Sequence, residues 1–450
     1  MCGAQRDERA GTARKVIAAG RFFLQRRAEL GGAHDDWCVD DADVIAAEVA
    51  AELGISRGRA SSLMHYGQVL IEYLPKLADV FMAGLIDFRV IRIVEFRTGL
   101  LTDAQVFSAI DEMLAYKAPG WNSVSDARVA QLVDWMVLDL DPDALRVAKQ
   151  RDDDRHVDVT PGHSGMAEIW GRVRATDAAA FDQKLDELAA TVCADDPRTK
   201  RQRRADALMA LSCGDAAMAC LCESEHCTAE NRPTSSAVVI HVLAEAGTVE
   251  GHGTKPGFVP GYGPLPPAMV RDVAKSAKLR PVVHPEDGAA EPQYRPSAAR
   301  ADFVRSRDLT CRWMGCDKPA WQADIDHTVP YPLGPTHPSN NDCFCRFHHL
   351  LKTFHCGPGG WTVTQLPDGT MVFTTPSGRV HCTEPLGAVL FPQLAVPTGE
   401  LVLPEEPPPG AERGLAMPKR KRTRAEERAA RIEWERGLNR ARYAANPPPF

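Results

Sequence analysis

CRWMGCDKPAWQADIDHTVPYPLGPTHPSNNDCFCRFHHLLK, residues 311–352, is where the chain concentrates its metal-binding chemistry. Cys311 and Cys316 make a Cys-x4-Cys pair, and Cys345 and His348 a Cys-x2-His pair about thirty residues on. Zn2+ prefers four tetrahedral nitrogen or sulfur ligands, and two short turns carrying paired ligands supply them. A segment this small buries little apolar surface, so a structural metal would supply much of its folding free energy. Cys311, Cys316, Cys345 and His348 are therefore expected to hold a structural Zn2+. Asp326, His327, Asn340 and His349 are left over. Aspartate and neutral histidine can hold a second divalent cation with open water positions. A neighbouring histidine can take a proton from attacking water, and an asparagine amide can orient that histidine or support the loop. Such a set suits phosphodiester hydrolysis, with the cation stabilising charge on a phosphoryl oxygen and the leaving 3′ oxygen. His348 and His349 point about 100° apart on a helix, so one can serve zinc and the other the chemistry.

Around this stretch, residues 300–385 read as a compact Cys/His module that holds six of the fourteen histidines. Pro367-Asp368-Gly369 separates two β-type runs, and Asp-Gly favours a tight hairpin turn there. Thirteen cysteines in a chain without an apolar N-terminal leader point to thiols or metal ligands rather than disulfides. The polar N-terminus, and the lack of any apolar run near the roughly 20 residues that span a bilayer, make a cytoplasmic protein without a membrane partner the default expectation.

The chain of 450 residues is 44% apolar, enough for a core and too long for one ordinary domain. Its Gly and Pro show no period, which excludes a collagen-like chain. Net charge is −7, against nonspecific nucleic-acid binding by the whole surface. Residues 411–450, however, carry 11 Lys and Arg against 5 Asp and Glu. Any nucleic-acid contact should therefore be local to a basic region.

Four regions are expected. Residues 1–150 read as an α-helical domain, with apolar periodicity at Asp41–Leu53, 62–70, 76–82, 88–97, 103–116 and 125–137. Residues 151–296 read as a mixed α+β continuation and linker. It holds a strand pair about Pro161-Gly162, helices near 177–192 and 201–213, a strand at 237–243, a Gly/Pro-rich loop at 251–267 and a short helix at 269–279. Residues 297–385 are the metal module. Residues 386–450 are a Pro-rich linker and a basic helical tail over 419–445.

Asp326-His327, Asn340 and Cys345-x2-His348-His349-x2-Lys352, framed by the cysteine pairs, resemble the HNH (ββα-metal) nuclease motif. The resemblance implies a ββα-metal fold in which His327 is the general base, Asp326 and His349 bind a catalytic Mg2+ or another divalent cation, and Asn340 is the middle asparagine. Asn341 is the alternative for that last position. Beyond the module, YPLGPTHPSN, LKTF, GPGGW, QLPDGT, the GYGPLPP loop at 261–267 and the tail PKRKRTRAE resemble the mycobacterial 13E12 repeat family. Its members join an N-terminal α-rich domain of unknown function to a C-terminal HNH domain. The implied function is a metal-dependent HNH endonuclease acting on DNA. The alternatives are a non-catalytic nucleic-acid-binding or mobile-element accessory protein with a zinc-stapled HNH-like fold, and a scaffold acting through its helical half.

Other features carry two readings. Cys213, Cys220, Cys222 and Cys227, with His226, are either a further metal site or a group of spare thiols. Residues 50–63 resemble a helix-turn-helix carrying Arg57 and Arg59, a pattern shared by ordinary bundles with a Gly turn. The basic tail either tracks phosphates or is a solvated helix with Glu/Arg pairs. Trp313, Trp321 and Trp361 read as core, and Cys343 and Cys356 as spare thiols.

Overall fold

The N-terminal region is a run of α-helices, α1 (Cys2–Leu30), α2 (Asp41–Leu53), α3 (Arg57–Glu72), α4 (Pro75–Met82), α5 (Phe88–Thr98), α6 (Ala104–Lys117) and α7 (Asp126–Leu140). Each start has a local cause. Side chains of Asp40, Ser56, Asp87, Asp103 and Ser125 accept backbone N–H groups in the first turns of α2, α3, α5, α6 and α7. Those donors would otherwise have no intrahelical partner. Gly54, at φ 60°, ends α2 in the left-handed region that favours glycine. α1 and α3 cross at Gly20 and Gly67, where a Cβ on Gly20 would lie 2.3 Å from the Gly67 carbonyl carbon. Val16, Ile45, Val49, Leu70, Phe81, Val94, Leu114 and Val133 meet in the core of this bundle.

The computed structural model describes residues 2–146, 155–224, 227, 229, 240–275, 277–286, 289–357, 359–401 and 416–445. The chain divides into two units, residues 1–147 with 280–450, and residues 148–279. In the second unit, β1 (His156–Pro161) pairs antiparallel with β2 (Ala167–Arg172). After them come α8 (Ala175–Ala189), α9 (Lys200–Cys213), α10 (Ala246–Val249), β3 (Gly257–Val259), β4 (Gly263–Leu265) and α11 (Pro267–Ala274). A reciprocal capping box between Thr199 and Gln202 starts α9, and Gly214 ends it. Leu185, Leu188, Val192, Ala207, Ala210 and Met218 form a small core. The stretch expected as loop at 251–267 contains the short antiparallel pair β3–β4. The strand expected at 237–243 falls largely outside the described residues, and Leu243 at its end bridges Phe258.

The chain then re-enters the first unit with α12 (Ala298–Asp308), β5 (Asp324–His327), β6 (Asn341–Phe344), α13 (Arg346–His355), β7 (Thr362–Gln365), β8 (Met371–Thr374), β9 (Val380–Thr383), α14 (Leu386–Leu390) and α15 (Arg424–Ala445). β5 and β6 are antiparallel, with Asp326 opposite Asp342 and His327 opposite Asn341. β7, β8 and β9 form a three-stranded antiparallel sheet. Its first turn is the Asp368-Gly369 turn, with Gly369 at φ 85°. A Cβ there would press on the fully buried Arg307, 2.7 Å from its Nε. The described fold is thus mostly helical with small antiparallel sheets. Among the described residues no helix is long and apolar enough to cross a membrane.

α2 lies between two cores. Ile45, Ala46, Val49 and Ala50 face the bundle. Val44, Ala47 and Ala51 pack with Trp313, Phe344, Trp361 and Phe373 of the Cys/His module. A helix covered on both sides must be apolar nearly all round, which accounts for its Ala/Val composition. The basic tail is docked on the start of this helix. Lys419 Nζ is 2.6 Å from Asp36, and Arg424 donates to Asp40 (2.5 Å) and Asp43 (2.7 Å). Farther along α15, Arg436 pairs with Asp141 at 2.7 Å, and the Asn439 amide donates to the Asp143 and Leu145 carbonyls. Much of the tail's positive charge therefore serves packing. Arg57 is engaged too, 2.7 Å from Asp43 and 4.0 Å above the Phe347 ring. This favours the bundle reading of residues 50–63 over a DNA-reading helix.

Asp40 both caps α2 and receives Arg424. Asp40→Ala should cost about 1–2 kcal/mol, whereas Asp40→Asn, which keeps a capping oxygen, should cost less. Hydrogen–deuterium exchange should quicken across 419–445 in both variants and at the start of α2 only in the alanine variant. Unchanged exchange across 419–445 in Asp40→Ala would show that the tail does not depend on this contact.

Candidate metal centre

Cys311 and Cys316 lie on the turn that follows α12, which Gly315 closes at φ 67°. Cys345 is the N-cap of α13 and His348 stands in its first turn. Residues three apart at a helix start share one side, so both face the turn. His348 Nδ1 is 3.4 Å from Cys311 Sγ and 3.3 Å from Cys345 Sγ, and all four donor atoms lie within 4.8 Å of one another. Ligands about 2.0–2.3 Å from a tetrahedral zinc stand roughly 3.5–3.8 Å apart, so the donors fit one ion. Burial pushes the Cys311 thiol well above the ordinary range, while hydrogen bonds from Cys311 and Cys316 hold Cys345 low. Cysteine binds a metal as thiolate, so a divalent ion would favour the ionised form of all three. Trp313 stacks on the His348 ring at 5.2 Å, 4° from parallel, and fixes its orientation. These four side chains are arranged to hold a structural metal such as zinc. Cys343 and Cys356 stand outside the group, and burial raises both thiols.

The next residue on α13, His349, turns toward β5. Asp324 and Asp326 are two apart on that strand and share a face. His349 joins them through its two ring nitrogens, with Nδ1 2.8 Å from Asp324 Oδ2 and Nε2 3.3 Å from Asp326 Oδ1. Lys352, one helical turn on, places Nζ 2.7 Å from Asp326 Oδ2 and 2.5 Å from the His327 carbonyl. Burial works to raise the Asp326 carboxyl, but the His349 hydrogen bond and the Lys352 charge outweigh it and hold it at about 2. Burial works to lower His349, yet Asp326 and Asp324 lift it to about 9. Opposite Asp326, Asp342 is fully buried and is pushed up to about 7, chiefly by desolvation.

His327 is 4% exposed, and its ring stacks on Tyr294 at 5.2 Å. Its Nε2 is 2.8 Å from Thr336 Oγ1, which lies 2.6 Å from the Gln293 carbonyl. The single hydroxyl proton of Thr336 is best given to that carbonyl. That leaves Thr336 Oγ1 as an acceptor toward His327 Nε2 and fixes the direction of the ring. Asn340 supports the loop. Its Nδ2 donates to the Val329 and Pro335 carbonyls at 3.0 Å each, and its Oδ1 accepts the Val329 N–H at 2.8 Å. Asn341 Nδ2 donates to the Asp326 carbonyl at 3.2 Å.

The structure thus brings together the four expected clamp residues, and separately Asp326 with His349. Asp324 and Thr336 were not singled out from the sequence, and Lys352 entered only as the last residue of the motif, with no role assigned. A carboxylate two residues before Asp326 on a strand was the available signal for Asp324.

Cys311→Ser should lower zinc by one equivalent per chain and loosen the module, with Trp313 fluorescence shifting to the red. Asp326→Asn should leave zinc content unchanged. Full zinc retention in Cys311→Ser, by mass spectrometry of the purified chain, would contradict the clamp.

Several proteins of Mycobacterium tuberculosis resemble the chain. Uncharacterized protein Rv2100 (strain ATCC 25618 / H37Rv) is 41% identical, over 99% of this chain and 88% of that protein. Uncharacterized protein Rv3776 of the same strain is 40% identical, over 97% of this chain and 90% of that protein. A further protein, described as "Uncharacterized protein in est 3'region", is 36% identical over 65% of this chain and 92% of its own length. No solved structure matches. The family described as "Domain of unknown function (DUF222)" matches residues 3–308, ending just before Cys311. On that match and these relatives, the chain belongs to the DUF222 family.

Proposed function

We propose that residues 297–385 are an HNH nuclease module that hydrolyses phosphodiester bonds in DNA with the help of a divalent cation such as Mg2+. The observation that carries this reading is His349 held between two carboxylates by opposite ring nitrogens. A metal-binding histidine commonly gives its second N–H to a carboxylate, which fixes its tautomer and strengthens it as a ligand. Asp324 would be that carboxylate here, and His349 Nε2 and Asp326 Oδ1, now paired with each other, would hold the ion. Two ligands about 2.1 Å from one small cation stand roughly 3 Å apart, close to the 3.3 Å between these atoms. The cation would supply charge to stabilise the phosphoryl oxygens and the leaving oxygen.

The chain's own residues do the rest. Lys352 holds the second oxygen of Asp326 and so fixes how the first one points. Thr336 orients the ring of His327, the residue proposed to accept a proton from water. Asn340 keeps the 328–335 loop closed beside that histidine. Lys421 and Arg422 in the tail are exposed and suited to phosphate contacts. The likeness to the 13E12 repeat family is in keeping with the mycobacterial relatives, and the protein is proposed to work in the cytoplasm. A non-catalytic nucleic-acid-binding role is the second reading. It is favoured by the burial of His327 and by the Lys352–Asp326 ion pair.

Incubation of supercoiled plasmid with the full chain and Mg2+ or Mn2+ should give nicked or linear products, and a chelator should prevent them. His327→Ala should abolish cleavage while keeping the zinc of the parent. Cleavage by His327→Ala at the parent rate would remove that residue from the mechanism, and DNA binding without nicking by the parent would favour the second reading. Asp324→Asn should weaken Mn2+ binding by about 10–100-fold in isothermal titration. An unchanged affinity would show that Asp324 does not support the ion.

A further inference from the structure

The second unit holds another quartet of soft ligands. Cys193, Cys220, Cys222 and Cys227 place their four sulfurs within 4.8 Å of one another. We propose that they form a second zinc site, ligated by four cysteines, that staples the unit of residues 148–279. This stands on different residues from the nuclease reading and does not depend on it.

Two segments bring the sulfurs together, one following α8 and one following α9. They are laced by polar contacts that leave their cysteines facing one another. The Met218 N–H donates to Thr191 Oγ1 at 2.9 Å, and the Leu221 N–H to Asp196 Oδ2 at 3.0 Å. Arg198 donates to Asp196 Oδ2 at 2.8 Å and to the Ala219 carbonyl at 2.7 Å, while its other Nη reaches Asp206 on α9 at 2.8 Å. Past Cys222 the chain doubles back. Glu223 takes a left-handed φ of 52°, and the Cys227 N–H donates to the Ser224 carbonyl at 3.2 Å. A left-handed non-glycine residue costs free energy and persists where its surroundings impose it. Here the imposed turn returns Cys227 to the other three.

Four sulfurs about one centre suit one tetrahedral ion, whose thiolate ligands stand roughly 3.8 Å apart. Cys193 and Cys220 are 3.5 Å apart. Two disulfides would instead draw the sulfurs into pairs at about 2.05 Å. An all-thiolate set selects Zn2+ over the harder Mg2+ and Ca2+. On binding, the thiols that are still protonated release their protons to solvent. The unit also has reason to need a staple, because its core is small and the β1–β2 hairpin is exposed along nearly its whole length. From the sequence, Cys220-x-Cys222-x4-Cys227 supplied three ligands, and the fourth is Cys193 rather than Cys213, which stands outside the quartet. His226 lies outside the described residues.

The test is metal stoichiometry on the full chain, purified under reducing conditions, loaded with zinc and desalted. With both sites filled the parent should hold two zinc equivalents, and Cys222→Ser and Cys227→Ser one each. Cys213→Ser should keep both. Should Cys222→Ser fail to fold, Cys311→Ser empties only the other site and should retain one equivalent. Cobalt substitution gives a second readout, since loss of an all-thiolate site removes four of seven cobalt–thiolate bonds and should cut the charge-transfer absorbance by more than half. If the clamp alone fails, the parent holds one zinc that survives Cys311→Ser and is lost in Cys222→Ser. Zinc content equal to the parent's in Cys222→Ser, or none in Cys311→Ser, would overturn the proposal.

Discussion

A hairpin of two four-residue strands and a ten-residue helix do not hold a fixed geometry in water unless their ends are tied, and Cys311, Cys316, Cys345 and His348 are placed to tie them through one metal ion. Cys345 follows directly on β6 and caps α13, so a single ligand fixes the angle between strand and helix. With His348 turned into the clamp, His349 must point about 100° away, toward β5. Asp324, Asp326 and Lys352 then find it at hydrogen-bond range. The candidate chemistry follows from that one constraint. The stacked Trp313 carries it into the apolar core shared with α2.

The same logic explains why one compact unit contains both the beginning and the end of the chain. α2 is covered on one side by the bundle and on the other by the module, and its acidic first turn receives Arg424. A helix N-terminus favours negative side chains. Asp40 and Asp43 therefore serve the helix first and the tail second. Positive charge that looks in composition like a nucleic-acid footprint is in good part balanced within the fold.

What could be read from the sequence tracked how local the cause was. The clamp was legible because its ligands come in two close pairs, each on one turn. Helices α2 to α7 were legible from apolar spacing. α1 was not, because much of its packing relies on small residues, Ala13, Ala19 and Gly20, which leave little periodic signal. Cys193 was missed because its partners lie across a helix and two loops, far outside any spacing rule. Asp324 and Thr336 matter through contacts that only the hairpin and its loop create. Asn340 stood out as a residue type such a site uses, but its work on the 328–335 loop required the hydrogen bonds to be seen.

The most direct measurement of the central claim is anomalous diffraction from crystals of the full chain grown with zinc and saturating Mn2+. The account expects zinc among Cys311, Cys316, Cys345 and His348. It also expects manganese bound by Asp326 Oδ1 and His349 Nε2, with Asp324 still on His349 Nδ1. A filled zinc clamp with no manganese, and Asp326 still paired directly to His349 and Lys352, would contradict it.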